Sequence, residues 1–105
     1  MIIIEVISVI AHVVCFKMKP FANGKNSSQN LDELLEKLEV LKTIPVVRAM
    51  YVERNKPGSE YAAVLTELFS DKEALDVYEN HPTHLGIKDY IGMVCEPMFI
   101  KDVEC

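Results

Sequence analysis

Residues 61–84 read YAAVLTELFSDKEALDVYENHPTH, and a change of period inside this stretch decides the fold. Residues 61–69 are rich in apolar and β-branched side chains, which suits a strand. From Ser70 the pattern turns helical. Ser70 and Glu73 stand at capping-box spacing, and Leu75 and Tyr78 follow on one helical face. Pro82 has no N–H to offer the carbonyl of Tyr78. The helix is therefore expected to kink or end between Tyr78 and His84.

Working outward, residues 46–55 read as another strand. Lys56-Pro57-Gly58-Ser59 supplies turn chemistry, so the two strands should form a hairpin. Before it, Leu31, Leu34, Leu35, Leu38 and Leu41 make one apolar helical stripe. Asn30 is the expected N-cap, with Glu33 at the capping-box position. Asp32 and Glu33 in the first turn and Lys42 in the last suit the helix dipole, and Pro45 ends the helix. A polar loop over residues 23–28 separates this helix from an apolar run that reaches Met18 and stops at Lys19-Pro20. Ile2, Ile3, Ile4, Val6, Ile7, Val9 and Ile10 in that run are β-branched, which favours a strand. A last strand is expected over residues 94–103.

The order is strand, helix, strand, strand, helix, strand. This is the split βαβ pattern of α+β, ferredoxin-like folds, a four-stranded antiparallel sheet with both helices on one face. The first strand is apolar on both faces: Val13 and Cys15 point one way, Val14 and Phe16 the other. A sheet apolar on two sides needs two covers. The helices supply one, and a second copy of the chain is the economical choice for the other. The expected partner is thus a second copy, in a homodimer.

Composition narrows the function classes. The chain has 105 residues, half of them hydrophobic, and a formal net charge of −5. It is read as a single domain over residues 1–105. An acidic chain without a Lys/Arg cluster is a poor match for nucleic acid or an anionic membrane surface. Residues 1–16 carry only Glu5 as an acidic and His12 as a basic side chain. They lack the basic start and small-residue cleavage site of a signal peptide, and fall short of the ~20 apolar residues of a membrane helix. The three cysteines, Cys15, Cys95 and Cys105, form no CxxC pair, which suggests reduced thiols and a cytoplasmic setting. Cys15 and Cys95 are expected within strands.

Three motifs, in order, carry a family resemblance. His12 to Pro20 reads HVVCFKMKP, Ile44-Pro45-Val46-Val47 follows the first helix, and residues 78–84 fit Y-x-x-H-P-x-H. Together with the final Ile100-Lys101-Asp102 they resemble the stress-responsive A/B barrel family over nearly all of the chain after Ala11. The resemblance implies a dimeric α+β barrel, with a pocket between each sheet and its own helices. One branch resembles plant polyketide cyclases such as olivetolic acid cyclase, in which a Tyr and a His close a ring by aldol-type chemistry. Those catalytic roles fall on Tyr78 and His84, and a pocket histidine matches His12. Three features differ: Ala63 stands where the cyclase has a further His, Glu53 where many members have Gly, and residues 1–11 have no family counterpart.

The chemistry of the segment agrees with that implication. An imidazole titrating near neutrality moves protons, and a phenol positions it or donates to a developing oxyanion. His12 shares a strand face with Val14 and Phe16; these, with Leu75 and Leu85, are the expected walls of a site for a small hydrophobic molecule. The competing reading is structural: Tyr78 as core, His84 as a cap on loose helix carbonyls, His12 as a satisfied strand histidine, and His81 as a kink or surface group. A metal held by His81, His84 and His12 is the third reading. Pro82 disturbs that spacing and no further carboxylate is obvious, so neither a metal nor a cofactor is assigned.

Overall fold

The computed structural model describes residues 9–105. The expected strand over residues 1–8 lies outside that range. The chain runs β1 (Ile10–Phe16), β2 (Phe21–Ala22), β3 (Lys25–Asn26), α1 (Ser27–Glu39), a 3-10 turn (Val40–Thr43), β4 (Ala49–Arg54), β5 (Ala63–Phe69), α2 (Lys72–Glu79), α3 (Pro82–Val94) and β6 (Phe99–Glu104). The main sheet is antiparallel with strand order β4-β5-β1-β6. The ferredoxin-like α+β architecture expected from the sequence is the one observed.

Strict alternation sorts the sheet faces. Ile10, His12, Val14 and Phe16 are buried on β1, as are Ala63, Leu65, Glu67 and Phe69 on β5, while the residues between them are half-buried. The buried face packs against Leu31, Leu34 and Leu38 of α1, Leu75 and Tyr78 of α2, and Tyr90, Ile91 and Val94 of α3. Each large aliphatic or aromatic side chain removed from water here contributes about 1.5–3 kcal/mol, so this one face supplies most of the driving force.

Several local expectations change. The N-cap of α1 is Asn26, not Asn30: its extended backbone lets its side chain accept from Gln29 N, and Gln29 answers in a reciprocal capping box. Asn30 is instead fully buried, donating to Ala22 O and Lys25 O, and it fastens the small β2–β3 hairpin under α1. That hairpin turns through Asn23 and Gly24, both at positive φ, where Asn and Gly are at their least strained. Lys42 falls in the 3-10 turn rather than the last turn of α1. The cap of α2 is Asp71, one residue past Ser70, and it accepts from Ala74 N at 2.8 Å.

Pro82 does more than interrupt a helix. It occupies the first position of α3, where a missing N–H costs nothing, and His81 caps that helix by accepting from Thr83 N at 3.1 Å. Residues 82–94 were not expected as a helix. Two glycines, Gly86 and Gly92, weaken its propensity, and packing of Tyr90, Ile91 and Val94 makes up for it. Cys95 follows as the C-cap of α3 instead of opening a strand, and β6 begins only at Phe99. Cys15, Cys95 and Cys105 are free thiols.

Candidate functional site

The register of the sheet builds the site. His12 at the middle of β1 lies opposite Glu67 of β5 on one side and Asp102 of β6 on the other. The three side chains form a polar row across an otherwise apolar face. His12 is 7% exposed, and its Nδ1 stands 2.5 Å from Asp102 Oδ1. Glu67 is fully buried. A carboxylate at this depth needs partners, since leaving one unpaired costs several kcal/mol.

Helix α2 supplies one. Tyr78, 1% exposed, donates its hydroxyl to Glu67 Oε1 at 2.8 Å, while Glu67 Oε2 has no protein partner. The Tyr78 ring packs 4.9 Å from Phe69, 6.3 Å from His12 and 4.5 Å from His84, measured between centroids. His84 reaches this position because α3 starts at Pro82 and turns its first residues back over the end of α2. Its Nδ1 lies 3.0 Å from Glu79 O, the free carbonyl of the last residue of α2. That contact requires the Nδ1–H tautomer, which leaves the lone pair on Nε2.

The electrostatics follow from burial. Loss of water pushes the Glu67 carboxyl up to about 7, against the lowering effects of the Tyr78 hydroxyl and the neighbouring His12. Burial, then the Glu67 carboxyl, push the Tyr78 phenol far above its ordinary range, so it acts only as a neutral donor. Burial also lowers His84 below its ordinary value, more than the Glu79 carbonyl raises it, so the ring is neutral at neutral pH. The cluster thus holds a neutral imidazole packed at a tilt against a neutral phenol, with a proton-exchanging carboxyl behind the phenol.

Of the residues singled out in the sequence, His12, Val14, Phe16, Leu75 and Tyr78 are buried and His84 is half-buried. Leu85 is 43% exposed, so it does not form the buried wall expected of it. Glu67 and Asp102 were missed. Glu67 had a readable signal: it occupies a buried position of the alternation Ala63, Leu65, Glu67, Phe69, where a charge is out of place. Asp102 had none, since pairing β6 with β1 is a long-range event.

A cavity of about 360 Å³ lies elsewhere. It sits where the end of β1, the start of α1 and the β4–β5 turn meet, between Lys17, Met18, Leu31, Arg54 and Pro57, and none of His12, Tyr78 and His84 lines it. No described helix is long and apolar enough to cross a membrane.

Comparison with known proteins places this geometry in context. A dimeric protein of unknown function with a ferredoxin-like fold from Bacteroides fragilis superposes with a TM-score of 0.75 at 22% identity, covering 92% of this chain and 96% of the other. A dabb family protein with a ferredoxin-like fold from Mesorhizobium loti gives 0.74 at 23% identity, covering 91% and 95%. A hydroxynitrile lyase from Passiflora edulis gives 0.71 at 13% identity, covering 92% and 93%. At such identities the likeness speaks for the fold alone. No curated protein matches the chain at a significant level. The family model of the Stress Responsive A/B Barrel Domain, however, matches residues 10–105, from the first residue of β1 to the end of the chain. By that match the chain belongs to the stress responsive A/B barrel domain family.

Proposed function

We propose that this domain binds a small hydrophobic molecule between the sheet and the α2–α3 pair, with a hydroxyl or enol of the ligand donating to His84 Nε2 beside Tyr78. The observation that carries the reading is the tilted packing of a neutral, half-buried His84 against Tyr78, whose hydroxyl is anchored by a buried carboxyl. A purely structural site gains little from a carboxyl buried at that depth, since an apolar residue of like size costs less to bury. Val14, Phe16 and Leu75 offer the apolar surface. Tyr78 is closed off at rest, so entry requires α2 and α3 to part at the Asn80–His81 break. Benzoylacetone, an apolar and enolisable diketone, is a suitable probe. In calorimetry His84→Ala should weaken its binding by roughly tenfold or more, about 1.4 kcal/mol, while lowering stability by less. A large loss of stability with unaltered binding would make His84 a helix-end cap only.

The same groups favour a second reading, acid–base catalysis on a carbonyl compound of the polyketide-cyclase type. A neutral imidazole with a free Nε2 lone pair can take a proton, and the Tyr78 phenol can donate to the oxyanion that forms once a protonated Glu67 donates to it in turn. Exchange of the benzoylacetone methylene protons for deuterium, followed by NMR, tests this. Acceleration lost in both His84→Ala and Tyr78→Phe supports turnover; exchange at the buffer rate rejects it.

We also propose a homodimer formed through the sheet face turned away from the helices. That face carries Val13, Val64 and Leu68, with Tyr51 60% and Phe99 51% exposed. Two such faces packed together would bury about 2,000 Å² or more in total. Several similar solved structures are described as dimeric.

A further inference from the structure

We propose that His12, Asp102 and Glu79 form a binding site for a single divalent transition-metal ion of the zinc class. The three residues come from three elements: the middle of β1, the edge strand β6 and the last residue of α2. One ligand atom from each lies within 4.8 Å of the others. Around a tetrahedral ion, bonds of about 2.0–2.2 Å put ligand atoms roughly 3.4 Å apart. The exposed Glu79 side chain has room to swing inward and close the site. His12 Nδ1 and Asp102 Oδ1 already approach to 2.5 Å, and this pair opens by about 1 Å to admit the ion.

The field at this point favours a cation. Glu67 faces His12 from the other neighbouring strand, and its Oε2 is a buried acceptor with no partner. Glu79 ends α2, where the free carbonyls of the helix add negative potential. Among the described residues, neither Glu79 nor Asp102 is paired with a lysine or arginine. One imidazole and two carboxylates make a donor set of intermediate softness, which suits zinc better than the all-oxygen shells of magnesium or calcium. Three protein ligands leave a position open to water, and the exposure of Asp102 and Glu79 gives the ion a way in. The site does not depend on the small-molecule reading above, because it is measured with no organic ligand present.

The test is a calorimetric titration with Zn²⁺ and an absorbance titration with Co²⁺. Both use the full chain carrying Cys105→Ser, which removes the exposed free thiol as a competing ligand. Saturation at a single ion per chain is expected. Asp102→Asn and Glu79→Gln should each weaken binding by at least about tenfold. Glu79 is exposed and makes no side-chain hydrogen bond among the described residues, so Glu79→Gln keeps the test open even if His12 or Asp102 variants fold poorly. Binding absent at millimolar metal, or unchanged in both variants, overturns the proposal.

Discussion

His12 and Asp102 are ninety positions apart in the chain and 2.5 Å apart in the fold. They meet because β1 is a central strand whose two neighbours place a carboxyl on each side of the same histidine, Glu67 from β5 and Asp102 from β6. The two carboxyls differ in surroundings. Glu67 is sealed under α2 and has only the Tyr78 hydroxyl for company, whereas the Asp102 side chain is 45% exposed. This difference sets the chemistry of the row and several measurable outcomes.

Stability should fall as pH rises, because of Glu67. Its carboxyl titrates at about 7 in the folded protein against an ordinary 4.5, so folding favours the protonated form. The stabilisation is complete below about pH 4.5 and is lost as the pH climbs through 7, a change on the order of 3 kcal/mol. Glu67→Gln keeps an acceptor for Tyr78 but cannot ionise. Urea unfolding at pH 5 and pH 8.5 should show a clear decline for the natural chain and a much flatter response for the variant. Equal slopes for the two would place the titration elsewhere.

Removing the Tyr78 hydroxyl should be costly for a conservative change. Tyr78→Phe keeps the packing against Phe69 and His84 but leaves Glu67 Oε1 without its donor. A buried acceptor so orphaned costs about 1–3 kcal/mol. The loss should be greater at pH 8.5 than at pH 5, since the ionised carboxyl needs the donor more. Chemical denaturation at the two pH values measures both the size and the trend, and a loss that ignores pH would argue against the pairing.

Acidification should act on His84 in the opposite sense. Its folded pKa lies below the ordinary value, so protonation is disfavoured in the folded state, and stability linked to this ring is lost as the pH falls below about 6.5. His84→Gln should remove that acid-side contribution and leave the Glu67-linked decline at high pH intact. Two-dimensional NMR of the ring protons gives the pKa directly, and a value above the ordinary one would contradict the burial argument.

The dimer can be disrupted from one strand. Val13 lies on the sheet face away from the helices, between Thr66 and Lys101 in register. Val13→Asp places a charged, strongly hydrated carboxylate in the proposed interface without touching the core. Sedimentation equilibrium should show a dimer for the natural chain at micromolar concentration and a monomer, or a far weaker dimer, for the variant. A natural chain that sediments as a folded monomer rejects the interface.

The fold was legible because alternation in residues 61–69 and the helical stripe of Leu31, Leu34 and Leu38 both report burial on one face, a local property of the chain. Caps were less legible. Asn30 and Asn26 are equally good capping residues by type, and only the tertiary demand for a buried amide under the β2–β3 hairpin distinguishes them. Helix α3 escaped notice because Pro82 signals an end and a beginning with the same chemistry. Of the site, Tyr78, His84 and His12 could be named from the family resemblance. Glu67 was visible only as a charge in a buried position, and Asp102 depended on strand pairing across most of the chain, which no local pattern encodes.

The most direct measurement is chemical-shift mapping of benzoylacetone on the isotopically labelled protein, read at the aromatic side chains and backbone amides. Shifts concentrated at His84, Tyr78 and His12, with smaller changes along Leu75 and Val14, are the expected result. Shifts confined to Lys17, Met18, Arg54 and their neighbours would move the binding site to the separate 360 Å³ cavity. Either that pattern or the absence of any saturable change would contradict a ligand site built on Tyr78 and His84.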